Sequence, residues 1–125
     1  MKTLTLKQPW ATLVAEGIKR YEFRSWKTKY RGKVYIHAGA GVDKKEMHKY
    51  QHLDLEFPQK RIIAEAIITD CLELTDELNN IIISENNIAY GNIKRKGYAW
   101  KLTNIKKIKC DNEVKGQLGL WNYEK

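Results

Sequence analysis

Gly17-Ile18-Lys19-Arg20-Tyr21-Glu22-Phe23-Arg24-Ser25-Trp26 sets charges, a hydroxyl and an indole along one short segment that follows a helical one. Read as a strand, it sends successive side chains to opposite faces. Arg20, Glu22, Arg24 and Trp26 then share one face, and Lys19, Tyr21, Phe23 and Ser25 the other. Neither face is purely apolar. A strand that carries half-buried charge needs a partner for it, and a bound ligand is one such partner.

Upstream, Lys2-Thr3-Leu4-Thr5-Leu6 alternates polar and apolar residues as a half-buried strand does. Pro9 suits the first turn of a helix, Trp10, Leu13 and Val14 give that helix one apolar face, and Gly17 is placed to end it in a left-handed conformation. Downstream, residues 28–32 read as a polar turn and Lys33-Val34-Tyr35-Ile36-His37-Ala38 as a strand, with Gly39 and Gly41 flanking a small-residue turn. Asp43, with Glu46 three residues on, caps a second helix whose inner edge carries Met47, Tyr50 and Leu53 or Asp54 and which ends before Pro58. Residues 61–74 form the longest apolar stretch, and its β-branched content predicts a long central strand bent or bulged near Asp70. Residues 75–96 read as a partly helical excursion and loop, residues 98–109 as a strand and residues 119–123 as a closing strand. Short strands with two or more flanking helices make the expected fold α+β, built on a small curved sheet or barrel.

With 125 residues, the chain is expected to form one domain, 1–125, large enough for a core of its own. Hydrophobic residues make up 42% and charged residues 30%, a balance that fits a soluble globular protein and argues against a disordered tail protein. No apolar run is long enough to span a bilayer and no signal peptide is evident, so the expected location is cytoplasmic, with no membrane partner. Cys71 and Cys110 lack any ligand or CxxC spacing and read as free thiols. The 23 Lys and Arg against 15 Asp and Glu give a net charge of +8, which suggests a polyanionic partner or an anionic ligand.

The candidate ligand-binding residues are Lys19, Glu22, Arg24, Ser25, Trp26 and Trp10. Lys19 suits a phosphate or carbonyl oxygen, or, if desolvated, a base. Glu22 suits the exocyclic amine of a nucleobase, or an ion pair with Arg24, and Arg24 a phosphate or base edge by its planar fork, or that same salt bridge. Trp10 and Trp26 are candidate stacking surfaces, whereas Trp100 and Trp121 are assigned to the core. Ser25 suits a ligand oxygen or a backbone bond. Lys27, Lys29, Tyr30, Arg31 and Lys33 interleave positive charge with an aromatic ring and form a candidate nucleic-acid rim; Lys94, Arg95 and Lys96 are a candidate second contact. His48 and His52 have helical spacing but no third ligand, so no metal and no cofactor is expected, and His37 reads as a strand residue with a satisfied ring.

The ordered set Leu6-Lys7-Gln8-Pro9-Trp10-Ala11, the opening stretch, Arg31-Gly32-Lys33-Val34-Tyr35-Ile36-His37-Ala38, Tyr98-Ala99-Trp100-Lys101-Leu102 and Val114-Lys115-Gly116-Gln117-Leu118-Gly119-Leu120-Trp121 resembles the ASCH (activating signal cointegrator homology) domain of the PUA-like superfamily. The resemblance implies a PUA-like curved β-barrel and a cleft lined by the opening stretch. It also implies binding of RNA or a nucleotide, with a modified nucleoside and single-stranded DNA as further candidate ligands. Some small members of the family are similar in fold but act as amidohydrolases that deacylate modified cytidine, using a Lys, a Thr three residues later and a downstream Glu. Lys19 falls on that Lys, but Glu22 stands at the Thr position, and either Glu77 or Glu85 is available as the downstream acid. If the chain is an enzyme, Lys19 and Glu22 are its candidate catalytic pair, with Glu22 as general base for water. The expectation is therefore binding first, with hydrolysis of an acylated nucleoside or service as a protein-interaction module as the alternatives.

Overall fold

The computed structural model describes residues 1–86 and 96–124. Its elements in chain order are β1 (Lys2–Gln8), α1 (Trp10–Ala15), β2 (Tyr21–Arg24), β3 (Gly32–Val42), α2 (Lys44–Lys49), β4 (Arg61–Glu73), α3 (Asp76–Glu85), β5 (Tyr98–Lys107) and β6 (Leu120–Asn122). The six strands form one mixed sheet in the order β2-β5-β4-β3-β1-β6. Among the described residues only the β1–β3 pair is parallel; the other pairs run antiparallel. The chain is thus α+β, and no described helix is long and apolar enough to cross a membrane.

The sheet is open, with β2 and β6 as its edges, yet it curls strongly. Arg24 in β2 reaches the backbone of Thr5 in β1, although β5, β4 and β3 lie between those strands in the sheet. β4 allows this curl because its register slips against β5 between Ile68 and Asp70, and against β3 opposite Ile36 and His37. Such bulges bend a strand and raise its local twist. The bend expected near Asp70 is therefore present.

Helix α1 packs against β1, β3, β4 and β5 and buries five of its six residues, Ala11 to Ala15. Leu4, Val34, Ile36, Ala64, Ile68 and Trp100 form the centre of the core against it. A smaller cluster joins Tyr21, Ile82 and Ala99, so α3 covers the outer side of β2 and β5; a third joins Ile62, Val114 and Trp121. Trp100 and Trp121 are core residues, as expected.

Two expectations are corrected. Gly39 and Gly41 do not make a turn but continue β3, because β1 extends its parallel pairing as far as Gln8 against Val42. A Cβ at Gly39 would lie 2.8 Å from the Thr5 Cγ2, so glycine lets β3 run close beside the side chains of β1. Helix α2 is capped by Asp43, which accepts from the Glu46 amide at 3.0 Å, but it buries none of its own residues; Tyr50, just past its end, supplies the buried ring. Since α2 ends at Lys49, His48 and His52 do not share a helix face, and no metal-holding group of His, Cys, Asp or Glu occurs among the described residues. Both cysteines are free and half-buried.

Candidate functional site

The site is built where α1 hands over to β2. Gly17 has φ +74° and reverses the chain so tightly that the amides of Ile18 and Lys19 both bond to the Leu13 carbonyl. Lys19 is thereby placed before the strand, not in it, and the strict alternation that separates it from Glu22 does not apply. Its ammonium lies 3.0 Å from the Glu22 Oε1. Within β2 the alternation holds: Tyr21 turns into the cluster under α3, while Glu22 and Arg24 turn the other way.

Lys19 and Glu22 are only 4% and 7% exposed, so both charges are largely removed from water. That desolvation is costly and is offset only by good geometry and further hydrogen bonds. Glu22 Oε1 accepts from Lys19 Nζ and, at 3.3 Å, from the Phe23 amide; Oε2 accepts from Arg24 Nη2 at 3.1 Å. The ammonium also sits 5.3 Å from the Phe23 ring centre and 5.8 Å from that of Trp10, within cation–π range. Two cations on one carboxylate leave the cluster with surplus positive charge. Arg24 Nη2 donates in addition to the Thr5 carbonyl at 2.9 Å, while its Nε is buried with no hydrogen-bond partner among the described residues. An orphaned buried donor of this kind costs about 1–3 kcal/mol until an acceptor reaches it.

These residues line a cavity of about 550 Å³ together with Thr5, Leu6, Lys7, Trp10 and Phe23. Gly39, Ala40 and Gly41 form one wall, and Gln117, Leu118 and Gly119 one lip. The size falls within the range of small-molecule sites, roughly 300–1,000 Å³. Leu118 is 98% exposed on that lip. The lip is anchored behind by His37, whose Nε2 donates to the Val114 carbonyl at 2.6 Å while its Nδ1 accepts from the Thr5 hydroxyl at 3.1 Å. Thr5 Oγ1 in turn accepts from Trp121 Nε1 at 3.0 Å. Burial lowers the His37 pKa, opposed in part by the bond to Val114, and this favours the neutral ring that the pattern requires.

Of the sequence-predicted site residues, Lys19, Glu22, Arg24 and Trp10 come together in the cavity, whereas Ser25 and Trp26 do not line it. Trp26 lies edge-on to Trp100, with ring centres 4.7 Å apart, and its carbonyl accepts from the Trp100 indole. Ser25 is exposed beside Gly97. Lys27, Lys29, Arg31 and Lys33 are exposed, but Arg31 lies 3.7 Å from Asp70. Tyr30 is committed inward: its ring packs on the core and its hydroxyl donates to the Lys33 carbonyl. The basic run leaves the cavity after Arg24 and ends at Lys33, at the opposite end of β3 from Gly39 and Gly41, roughly 20–25 Å along the strand. Lys94 and Arg95 lie outside the described residues; Lys96 is exposed.

Phe23, Lys7, Thr5 and Leu118 are site residues that sequence reasoning did not single out. The paired glycines at 39 and 41 were the available signal for the wall, since glycine at alternate strand positions marks a close approach. Leu118 had none.

The ASCH domain family model matches residues 4–110, which is most of the chain. The chain belongs to the ASCH domain family. This ASCH domain is similar to Activating signal cointegrator 1 of Mus musculus and of Homo sapiens, at 27% identity to each. Each match covers 97% of the chain but 22% of the relative, so the domain spans about a fifth of the proteins it resembles. The matched segment contains the whole Lys19, Glu22 and Arg24 cluster.

Proposed function

We propose that this ASCH domain binds RNA, taking one unpaired nucleotide into the cavity, on a sheet that curls as a PUA-like barrel does. The carrying observation is the Arg24 guanidinium: one nitrogen is fixed by Glu22 and Thr5 while the buried Nε has no acceptor among the described residues. A polar ligand supplies that acceptor, and Trp10 and Phe23 provide aromatic surface for a flat ring. Lys7 at the cavity and the exposed Lys27, Lys29 and Arg31 contribute attraction for phosphates of the strand. A free nucleotide or single-stranded DNA presents much of the same chemistry.

The test is fluorescence anisotropy with a labelled single-stranded RNA across a salt series. Binding is expected to weaken as salt rises, and Lys29→Glu with Arg31→Glu should lower affinity and flatten that slope. Affinity unchanged at low salt would remove the basic run from the interface. Recognition of an acidic protein in place of RNA would favour the interaction-module reading.

One observation favours a second reading, deacylation of an acylated cytidine: Lys19 and Glu22 stand within proton-transfer distance in the same cavity. Release of acetate from N4-acetylcytidine that disappears in Lys19→Ala would establish it, and no turnover would dismiss it.

A further inference from the structure

Glu22 stands in the middle of a charged row. The Lys19 ammonium is 3.0 Å from Oε1 and the Arg24 guanidinium 3.1 Å from Oε2, so along the cavity wall the charges run positive, negative, positive. The two carboxylate oxygens are not equally occupied. Among the described residues, Oε1 takes two donors, Lys19 Nζ and the Phe23 amide, whereas Oε2 takes only Arg24 Nη2 and keeps room for another. Beside that acceptor lies the unpartnered Arg24 Nε–H. The wall therefore holds an acceptor with spare capacity next to a buried donor that has no partner among the described residues, with a second positive charge on the far side.

The complement of such a wall is a ligand edge whose central N–H is flanked by two carbonyl oxygens. Resting on the RNA-binding reading, we infer that the pocket selects the imide edge of uracil. N3–H donates to Glu22 Oε2, one flanking carbonyl accepts from Arg24 Nε, and the other faces the positive charge of Lys19. Other bases fit less well. Cytosine and adenine place an acceptor nitrogen where the carboxylate needs a donor, and each also carries an amino group. Guanine offers N1–H and one carbonyl, but its second flank is an amino group that meets positive charge. The ring itself lies in a cavity walled by Trp10 and Phe23.

The experiment compares oligomers of uridine, cytidine and adenosine of equal length at one salt concentration, together with a uridine oligomer methylated at N3. The uridine oligomer should bind about tenfold or more tightly than those of cytidine and adenosine. Methylation at N3 should abolish that advantage, because it removes the N–H without changing the protein. Arg24→Lys, its fold checked by circular dichroism, keeps the charge, loses the Nε donor and should narrow the preference. A thymidine oligomer, with the same edge on deoxyribose, should share the preference over deoxycytidine if the base alone is read. Equal affinity for all the oligomers, or an N3-methylated strand that binds as well as its parent, would overturn the uracil assignment and leave RNA binding standing. Binding to none of them would remove the RNA-binding reading and this inference with it.

Discussion

The Arg24 Nη2 donates to the Thr5 carbonyl oxygen across 2.9 Å, linking the edge strand β2 to β1 although three strands lie between them in the sheet. One guanidinium thus ties the curl of the sheet to the cavity, since the same nitrogen holds Glu22 Oε2. Arg24→Met removes both bonds and leaves the Thr5 carbonyl short of a donor. Unfolding in urea should show a loss of about 2 kcal/mol, with cavity binding lost as well. A variant as stable as the parent would mean that the curl does not depend on this contact.

The three charges of the row are not equivalent. Removing Lys19 leaves Glu22 paired with Arg24, whereas removing Glu22 leaves two largely buried cations without the carboxylate between them. Glu22→Leu should therefore destabilise by about 3–5 kcal/mol and Lys19→Met by distinctly less. Chemical denaturation of the two variants checks the order, and the reverse order would contradict the central place given to Glu22.

His37 supplies a pH dependence whose sign follows from its surroundings. Its folded-state pKa lies below the ordinary 6.5, chiefly through burial. The unfolded chain then binds the extra proton first, so the stabilising contribution is complete above that ordinary value and is lost as pH falls from there through the folded-state pKa. A second ring proton would go to Nδ1, which accepts from the Thr5 hydroxyl, and would cost that bond, while the Nε2 bond to the Val114 carbonyl offsets the effect only in part. Melting temperatures of the parent and of His37→Gln, measured at pH 7.5 and 5.5, should differ more at the higher pH. A gap that is the same at both values would exclude the titration of His37 as its source.

Leu118 separates binding from stability. It is 98% exposed on the cavity lip, so Leu118→Ser should shift unfolding by no more than about 0.5 kcal/mol. Ligand affinity should fall several-fold in the same variant, because the apolar side chain is available to cover a bound ring. Titration calorimetry beside thermal melting resolves the two effects, and unaltered affinity would take Leu118 out of the site.

Much of the local structure was legible in the residues. Gly17 ended α1, Asp43 and Glu46 capped α2, the β-branched run at 61–74 made β4, and Trp100 and Trp121 went to the core. These outcomes follow from backbone preferences and from apolar patterning, which act over a few residues at a time. The membership of the cavity was only half legible. Glu22 and Arg24 came from period-two alternation, but Lys19 joined them because the tight turn at Gly17 set it before the strand. Gly39 and Gly41 entered β3 because a parallel neighbour kept pairing with it.

By itself, the sequence determined that Lys19, Glu22 and Arg24 lie within six residues of one another, after a helix stop and on either side of a strand start. Only the tertiary structure decided that their charges meet one another in a cavity with Thr5, Lys7 and Leu118, that Tyr30 packs on the core, and that Trp26 stays exposed, edge-on to Trp100 and outside the cavity. The physical reason is that turn and strand preferences are local, whereas the pairing of buried charge depends on which distant strands the curled sheet brings alongside.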